Sequence, residues 1–160
     1  MRVRIAAAAA VPLLLALSAC GANGGDGRHG GKAAAAPARG EQSMSVQVVK
    51  TDLGPILADQ SGRTLYAFTK DKADASTCDA KCIAVWPALS GRQRAGAGPG
   101  ADRNLVSGVG RTRGTVQTAY NHWPLYYYAG DAAAGDTNGQ GLDGQWFVLG
   151  ADGKLVKRTA

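Results

Sequence analysis

The sequence predicts a mainly β domain made of two tandem pseudo-repeats of β-hairpins, forming one small sandwich or barrel-like unit with short helical turns. Three observations predict it. Shifting the sequence by 60 residues places Leu65-Tyr66 on Leu125-Tyr126, Asp71 on Asp131, Ala73 on Ala133, Thr77 on Thr137, Trp86 on Trp146 and Leu89 on Leu149 without a gap. These are seven identities in 25 positions, with Phe68 meeting Tyr128 besides, more than chance pairing gives. Short alternating β-prone segments recur between turn residues, and helical periodicity is nearly absent.

The elements follow in order. Val46-Gln47-Val48-Val49 is β-prone. Ile56-Leu57-Ala58, the turn Asp59-Gln60-Ser61-Gly62 and Arg63 to Phe68 read as a hairpin. Asp79 to Val85 and Asp102 to Ser107 are the only stretches that suggest turns of helix. Ser90 to Gly100, rich in Gly, Arg and Ala, reads as a surface loop between the copies. Thr115 to Tyr120 and Pro124 to Tyr128 flank the turn Asn121-His122-Trp123, and Trp146 to Leu149 with Lys154 to Val156 make a last hairpin around Ala151-Asp152-Gly153. The domain is read as residues 44–160, with repeat one at 53–89 and repeat two at 113–149.

What precedes the domain reads as an address. Arg2 and Arg4 open a positive n-region and Ile5 to Leu17 an uncharged apolar h-region, too short to span a membrane comfortably. The end, Leu17-Ser18-Ala19-Cys20, resembles the lipobox of bacterial lipoproteins. That resemblance implies a signal peptide over 1–19 and a diacylated Cys20 as the first mature residue, anchored to membrane lipid because two acyl chains suffice for stable binding. Residues 21–43 contain no aliphatic side chain larger than alanine and read as a flexible linker. The formal charge of +6 includes Arg2 and Arg4 of the removed segment, so a nucleic-acid partner is not expected. With 160 residues, 19% charged and 3 cysteines, the chain fits neither a multidomain enzyme nor a disulfide-dense miniprotein.

Alternation puts Tyr66 and Phe68 on one strand face and Tyr126 and Tyr128 on another, with an Asp three residues beyond each second ring. Asp71 and Asp131 are expected to accept hydrogen bonds from loop amides and fix each turn. A paired acid–base role for them is the sharper alternative, but duplication at equivalent positions favours keystones of the repeat.

Tyr66-Ala67-Phe68-Thr69-Lys70-Asp71 and Tyr126-Tyr127-Tyr128-Ala129-Gly130-Asp131 both fit Tyr-x-aromatic-x-x-Asp. The chain thereby resembles the secreted lipoprotein repeat family with tandem Tyr-x4-Asp motifs, and the stretches CDAKCIAVWPAL and GDTNGQGLDGQWFVLGADGK are similar to those typical of it. The resemblance covers most of residues 53–157 and implies an exported envelope protein without specifying a reaction. One departure is His122-Trp123, where the family more often carries a glycine-containing turn, so a less tight turn is expected here.

Cys78 and Cys82, spaced Cys-x3-Cys in an exported and oxidising setting, are expected to form a local disulfide. An exchanging dithiol with Lys81 beside Cys82 is the alternative. No metal or other cofactor is expected: His29 and His122 are the only histidines and Met44 the only mature methionine. Asp136 to Gly141 imitates the start of a calcium loop, but Phe147 stands where a bidentate Glu is needed, so a glycine-rich turn is the reading. Tyr120, Trp123 and Tyr127 are a possible binding face, with Tyr127 pointing away from Tyr126 and Tyr128. The function expected is therefore a lipid-anchored extracytoplasmic module, favoured as non-enzymatic, that binds or scaffolds an envelope protein or small ligand. The alternative is a redox accessory working through Cys78 and Cys82.

Overall fold

A computed structural model describes residues 43–158; the expected signal peptide, Cys20, His29 and nearly all of the linker lie outside the described residues. The strands are β1 (Ser45–Thr51), β2 (Gly54–Asp59), β3 (Tyr66–Phe68), β4 (Ser90–Gly91), β5 (Gly96–Ala97), β6 (Val106–Gly110), β7 (Val116–Tyr120), β8 (Trp123–Pro124) and β9 (Trp146–Val148), with one α-helix, α1 (Ala80–Val85), after β3. The domain is mainly β and contains two repeats, as the sequence predicts. Its sheets, β2-β1-β5, β3-β9 and β4-β7-β6 with β8 on β7, stay open.

Each repeat begins with an antiparallel hairpin, β1–β2 in the first and β6–β7 in the second. Each hairpin then feeds a central strand carrying the motif tyrosine. Leu65 N bonds to Leu57 O as Leu125 N bonds to Thr118 O, and Leu57 N bonds to Leu149 O as Thr118 N bonds to Leu89 O. The second member of each relation repeats the first with the repeats exchanged, which is pseudo-twofold symmetry. At the centre Tyr66 and Tyr126 exchange both backbone bonds, N to O at 2.8 and 2.9 Å. Farther out, Thr69 N bonds to Gln145 O and Ala129 N to Val85 O, both at 2.9 Å.

Strand alternation then divides the core in two. Leu65, Ala67 and Leu125 bury into one cluster with Val46, Leu57, Leu89, Val106, Tyr120 and Leu149. Tyr66 and Tyr126 bury into the other with Leu53, Ile56, Trp86, Trp146 and Val148. Because the flanking hairpins cover both faces, neither face of the central strands is left to solvent.

Two local expectations are corrected. Ser90 to Gly100 is not simply a loop: β4 extends the second sheet by pairing with β7, and β5 pairs parallel to β1. Its Gly/Arg/Ala composition has little strand propensity, so the edges of existing sheets impose the pairing. The turn at 121–122 is not loosened by its lack of glycine. Tyr120 pairs with Trp123 across two residues, and Asn121 (φ 47°) and His122 (φ 68°) both take positive φ, as a type I′ hairpin demands. The unfavourable conformation of His122 is offset from the other repeat, where Asp74 donates its N–H to His122 O at 2.9 Å and holds Nδ1 at 2.5 Å from its Oδ2. That contact holds the Asp74 carboxyl below the usual aspartate range.

Candidate functional site

The motif residues pair across the repeats. Tyr66 Oη donates to Asp131 Oδ2 at 2.8 Å, and Tyr126 Oη donates to Asp71 Oδ2 at 2.6 Å. Each tyrosine of one copy thus finds the aspartate of the other. The second oxygen of each carboxylate ties its own loop: Asp71 Oδ1 accepts from Thr77 N at 2.6 Å, and Asp131 Oδ1 from Asn138 N at 3.0 Å. Burial pushes the carboxyls of Asp71 and Asp131 up, against the hydrogen bonds that favour their charged forms. It also pushes the phenols of Tyr66 and Tyr126 well above their ordinary value, with the bonded carboxylates adding to the effect.

Rings fill the space between the two pairs. Phe68 stacks on Trp146 with centroids 4.3 Å apart and Trp146 on Trp86 at 3.8 Å, while Tyr128 closes the row tilted by 32° against Trp86 at 4.5 Å. The order, one repeat's ring then the other's, reads the same from both ends. Tyr66 meets Trp86 edge-on at 5.4 Å and Tyr126 meets Trp146 edge-on at 5.3 Å. At about 0.5–1.5 kcal/mol for each pair beyond area burial, this stack is a main bond between the repeats. Gly139 belongs to it for steric reasons: a Cβ there would stand 2.8 Å from the Trp86 ring and 2.9 Å from that of Tyr66.

Asp71 and Asp131 do not share a pocket. Asp131 lines a niche of about 110 Å³ with Arg63 and Tyr127, whereas Asp71 lines one of about 200 Å³ with Asn121, His122 and Trp123. A joint acid–base site is therefore not what the geometry assembles.

Cys78 and Cys82 form a disulfide. It spans the start of α1, whose N-cap Asp79 accepts from Cys82 N at 2.9 Å, and α1 leads directly into Trp86. Tyr120, Trp123 and Tyr127 do not form one open face. Tyr120 is fully buried, accepting from Asp102 N and donating to Ala151 O. Trp123 and Tyr127 are half-buried against the first core cluster. Tyr127 does point away from Tyr126 and Tyr128, but its hydroxyl donates to Asp59 Oδ2 at 3.0 Å and Arg63 lies over its ring at 3.9 Å. This Asp59 pairing was missed from sequence; its only signal was an Asp opening a turn, where Oδ1 accepts from Ser61 N and Arg63 N.

The imitation calcium loop packs as a turn, with Asp136 Oδ2 accepting from Ala132 N and Ala133 N. Among the described residues no group of three or more His, Cys, Asp or Glu is placed to hold a metal ion.

A second polar cluster adjoins the Tyr126–Asp71 pair. Ser76 Oγ lies 2.7 Å from Tyr126 Oη and accepts from Arg111 Nη1 at 3.3 Å. Arg111 Nη1 also donates to Gln117 Oε1 at 2.5 Å, and Gln117 Nε2 donates to Leu125 O at 3.0 Å. Sequence reasoning did not single out Arg111 or Gln117, because neither belongs to a motif.

Compared with known proteins, the chain matches a family model described as a secreted repeat of unknown function, at residues 47–90 and again at 107–150. No curated protein and no solved structure matches it.

Proposed function

The chain belongs to that family of secreted repeats, and from this premise we propose that it is a lipid-anchored, extracytoplasmic binding and scaffold module without catalytic activity of its own. One observation carries the reading. Both Tyr-x4-Asp motifs are committed to each other across the repeats, each carboxylate bonded to a phenol and to a loop amide. Groups engaged in this way hold a shape, whereas a catalytic carboxylate must be left able to exchange a proton with a substrate. The anchor rests on the n-region, the apolar run and the Leu17-Ser18-Ala19-Cys20 end. On this reading residues 20–43 tether the domain to the bilayer, and an envelope protein or a small ligand is its partner.

Two measurements test it. Mass spectrometry of the membrane fraction should find a diacylglyceryl group on Cys20, and Cys20→Ser should release the protein from the membrane; an unmodified, membrane-free wild type overturns the anchor. Asp71→Asn and Asp131→Asn should each lower the thermal midpoint. An activity abolished by either change with the midpoint intact would overturn the non-enzymatic reading.

A redox role for Cys78 and Cys82 keeps one observation in its favour: Cys78 lines an open cleft of about 420 Å³ beside Arg111. A disulfide that survives mild reductant in the folded protein sinks that alternative.

A further inference from the structure

The pseudo-symmetry supplies an internal control for every position, and at one position the control is informative. By the backbone correspondence of Leu57 with Thr118, Gln117 in β7 occupies the place that Ile56 holds in β2. Both are fully buried. The sister repeat shows that an apolar side chain satisfies the fold here, and burying an amide costs free energy unless it is fully bonded. Gln117 meets that cost through Leu125 O on one side and the Arg111 guanidinium on the other.

The guanidinium held this way makes no direct ion pair among the described residues; the Asp71 carboxylate feels its charge without bonding it. Its Nη1 bonds go to Gln117 and Ser76, and the two ion pairs found among the described residues are His122–Asp74 and Lys154–Asp152. No bond is made by the Nε–Nη2 edge among the described residues. That edge carries two parallel N–H donors, the geometry that a carboxylate accepts as a fork. Arg111 lines the cleft of about 420 Å³, with Val109, Ala75 and Cys78 offering apolar wall and Asp74 at its border. Asp74, the one acidic residue lining the cleft among the described residues, repels a doubly charged phosphate more than a singly charged carboxylate.

We propose that this cleft binds the carboxylate of a small organic acid or of a peptide C-terminus, with Arg111 as the fork, Gln117 as the residue that positions it and Val109 with the disulfide-bonded Cys78 as the wall for the ligand's body. The assignment deepens the binding reading of the module and is independent of the anchor, so a failed acylation assay leaves it standing. It also gives the disulfide a place in the site without any redox step.

The test uses the full mature chain with ¹⁵N-labelled arginine, titrated with propionate, with trialanine, with trialanine amide and with inorganic phosphate. Propionate or trialanine should move the Arg111 Nε–H resonance saturably in the millimolar range, and the tighter of the two names the source of the carboxylate. Trialanine amide should not bind. Arg111→Gln should weaken the binding acid at least tenfold while the protein still melts cooperatively, its midpoint lowered by the lost bond to Gln117. Gln117→Ile, which copies the sister repeat, should keep the fold and weaken binding severalfold by freeing the guanidinium. The proposal is overturned if no acid produces a saturable shift, if the amide or phosphate binds as well as the acid, or if Arg111→Gln binds like the wild type.

Discussion

At the residue scale the crossed Tyr–Asp pairs make a sharp energetic prediction. A double-mutant cycle on Tyr66→Phe and Asp131→Asn should give a coupling of about 1–3 kcal/mol, because Tyr66→Phe takes a donor from the half-buried Asp131 and Asp131→Asn takes a charged acceptor from the buried Tyr66. The same cycle on Tyr66→Phe and Asp71→Asn, which lie in one motif but do not bond, should give no more than about 0.5 kcal/mol. Denaturant melts of the four variants check both. The sequence showed which residues recur and that their aspartates suit turns, but not that each pairs with the other copy, since no local pattern encodes a bond between Tyr66 and Asp131. The buried phenols also set an alkaline limit. Tyr66, Tyr120, Tyr126 and Tyr127 are all raised above their ordinary value, chiefly by burial. Raised folded values mean that their contribution is complete below about pH 10, where the unfolded phenols begin to ionise, and is lost as pH climbs toward the folded values. The tyrosinate absorbance of these four phenols should therefore rise together with the loss of near-ultraviolet circular dichroism above that pH; ionisation of more than one of the five tyrosines with the fold intact contradicts it.

At the element scale α1 is the clearest difference between the copies. It is six residues long, too short to persist alone in water, and depends on the Asp79 cap, the disulfide and the docking of Trp86. Replacing both cysteines with serine should cost about 2 kcal/mol or less, since the bridge closes a short loop. It should also weaken the near-ultraviolet signal of the Trp86–Trp146 stack while the far-ultraviolet spectrum stays β-like. The cysteine spacing pointed to this bridge, and Asp79 to Val85 already suggested a turn of helix. β4 and β5 were not legible in the same way, because strands of two residues are made by the edge they join. The tight Asn121-His122 turn was misjudged for a related reason: its positive φ angles are supported by Asp74, which lies 48 residues away in sequence.

At the scale of the whole molecule the two repeats are one folding unit. The central backbone exchange, both Tyr–Asp pairs and the four-ring stack all cross between them. Residues 43–101 and 102–158, produced separately, should each lack a cooperative melt by circular dichroism; a half that melts cooperatively alone contradicts the interlock. The duplication, the strand-rich class, the bridge between Cys78 and Cys82 and the membership in a secreted-repeat family were all determined by the sequence, because identity at fixed spacing, period-2 alternation and short-range cysteine pairing are local properties of a chain. Only the tertiary structure decided which tyrosine meets which aspartate, that the Tyr127 side faces a second core in place of solvent, and that Gln117 holds Arg111 where its sister position holds Ile56. Each of these depends on how two copies dock. Docking is set by mutual burial over residues far apart in the chain, and two like repeats read singly carry no record of it.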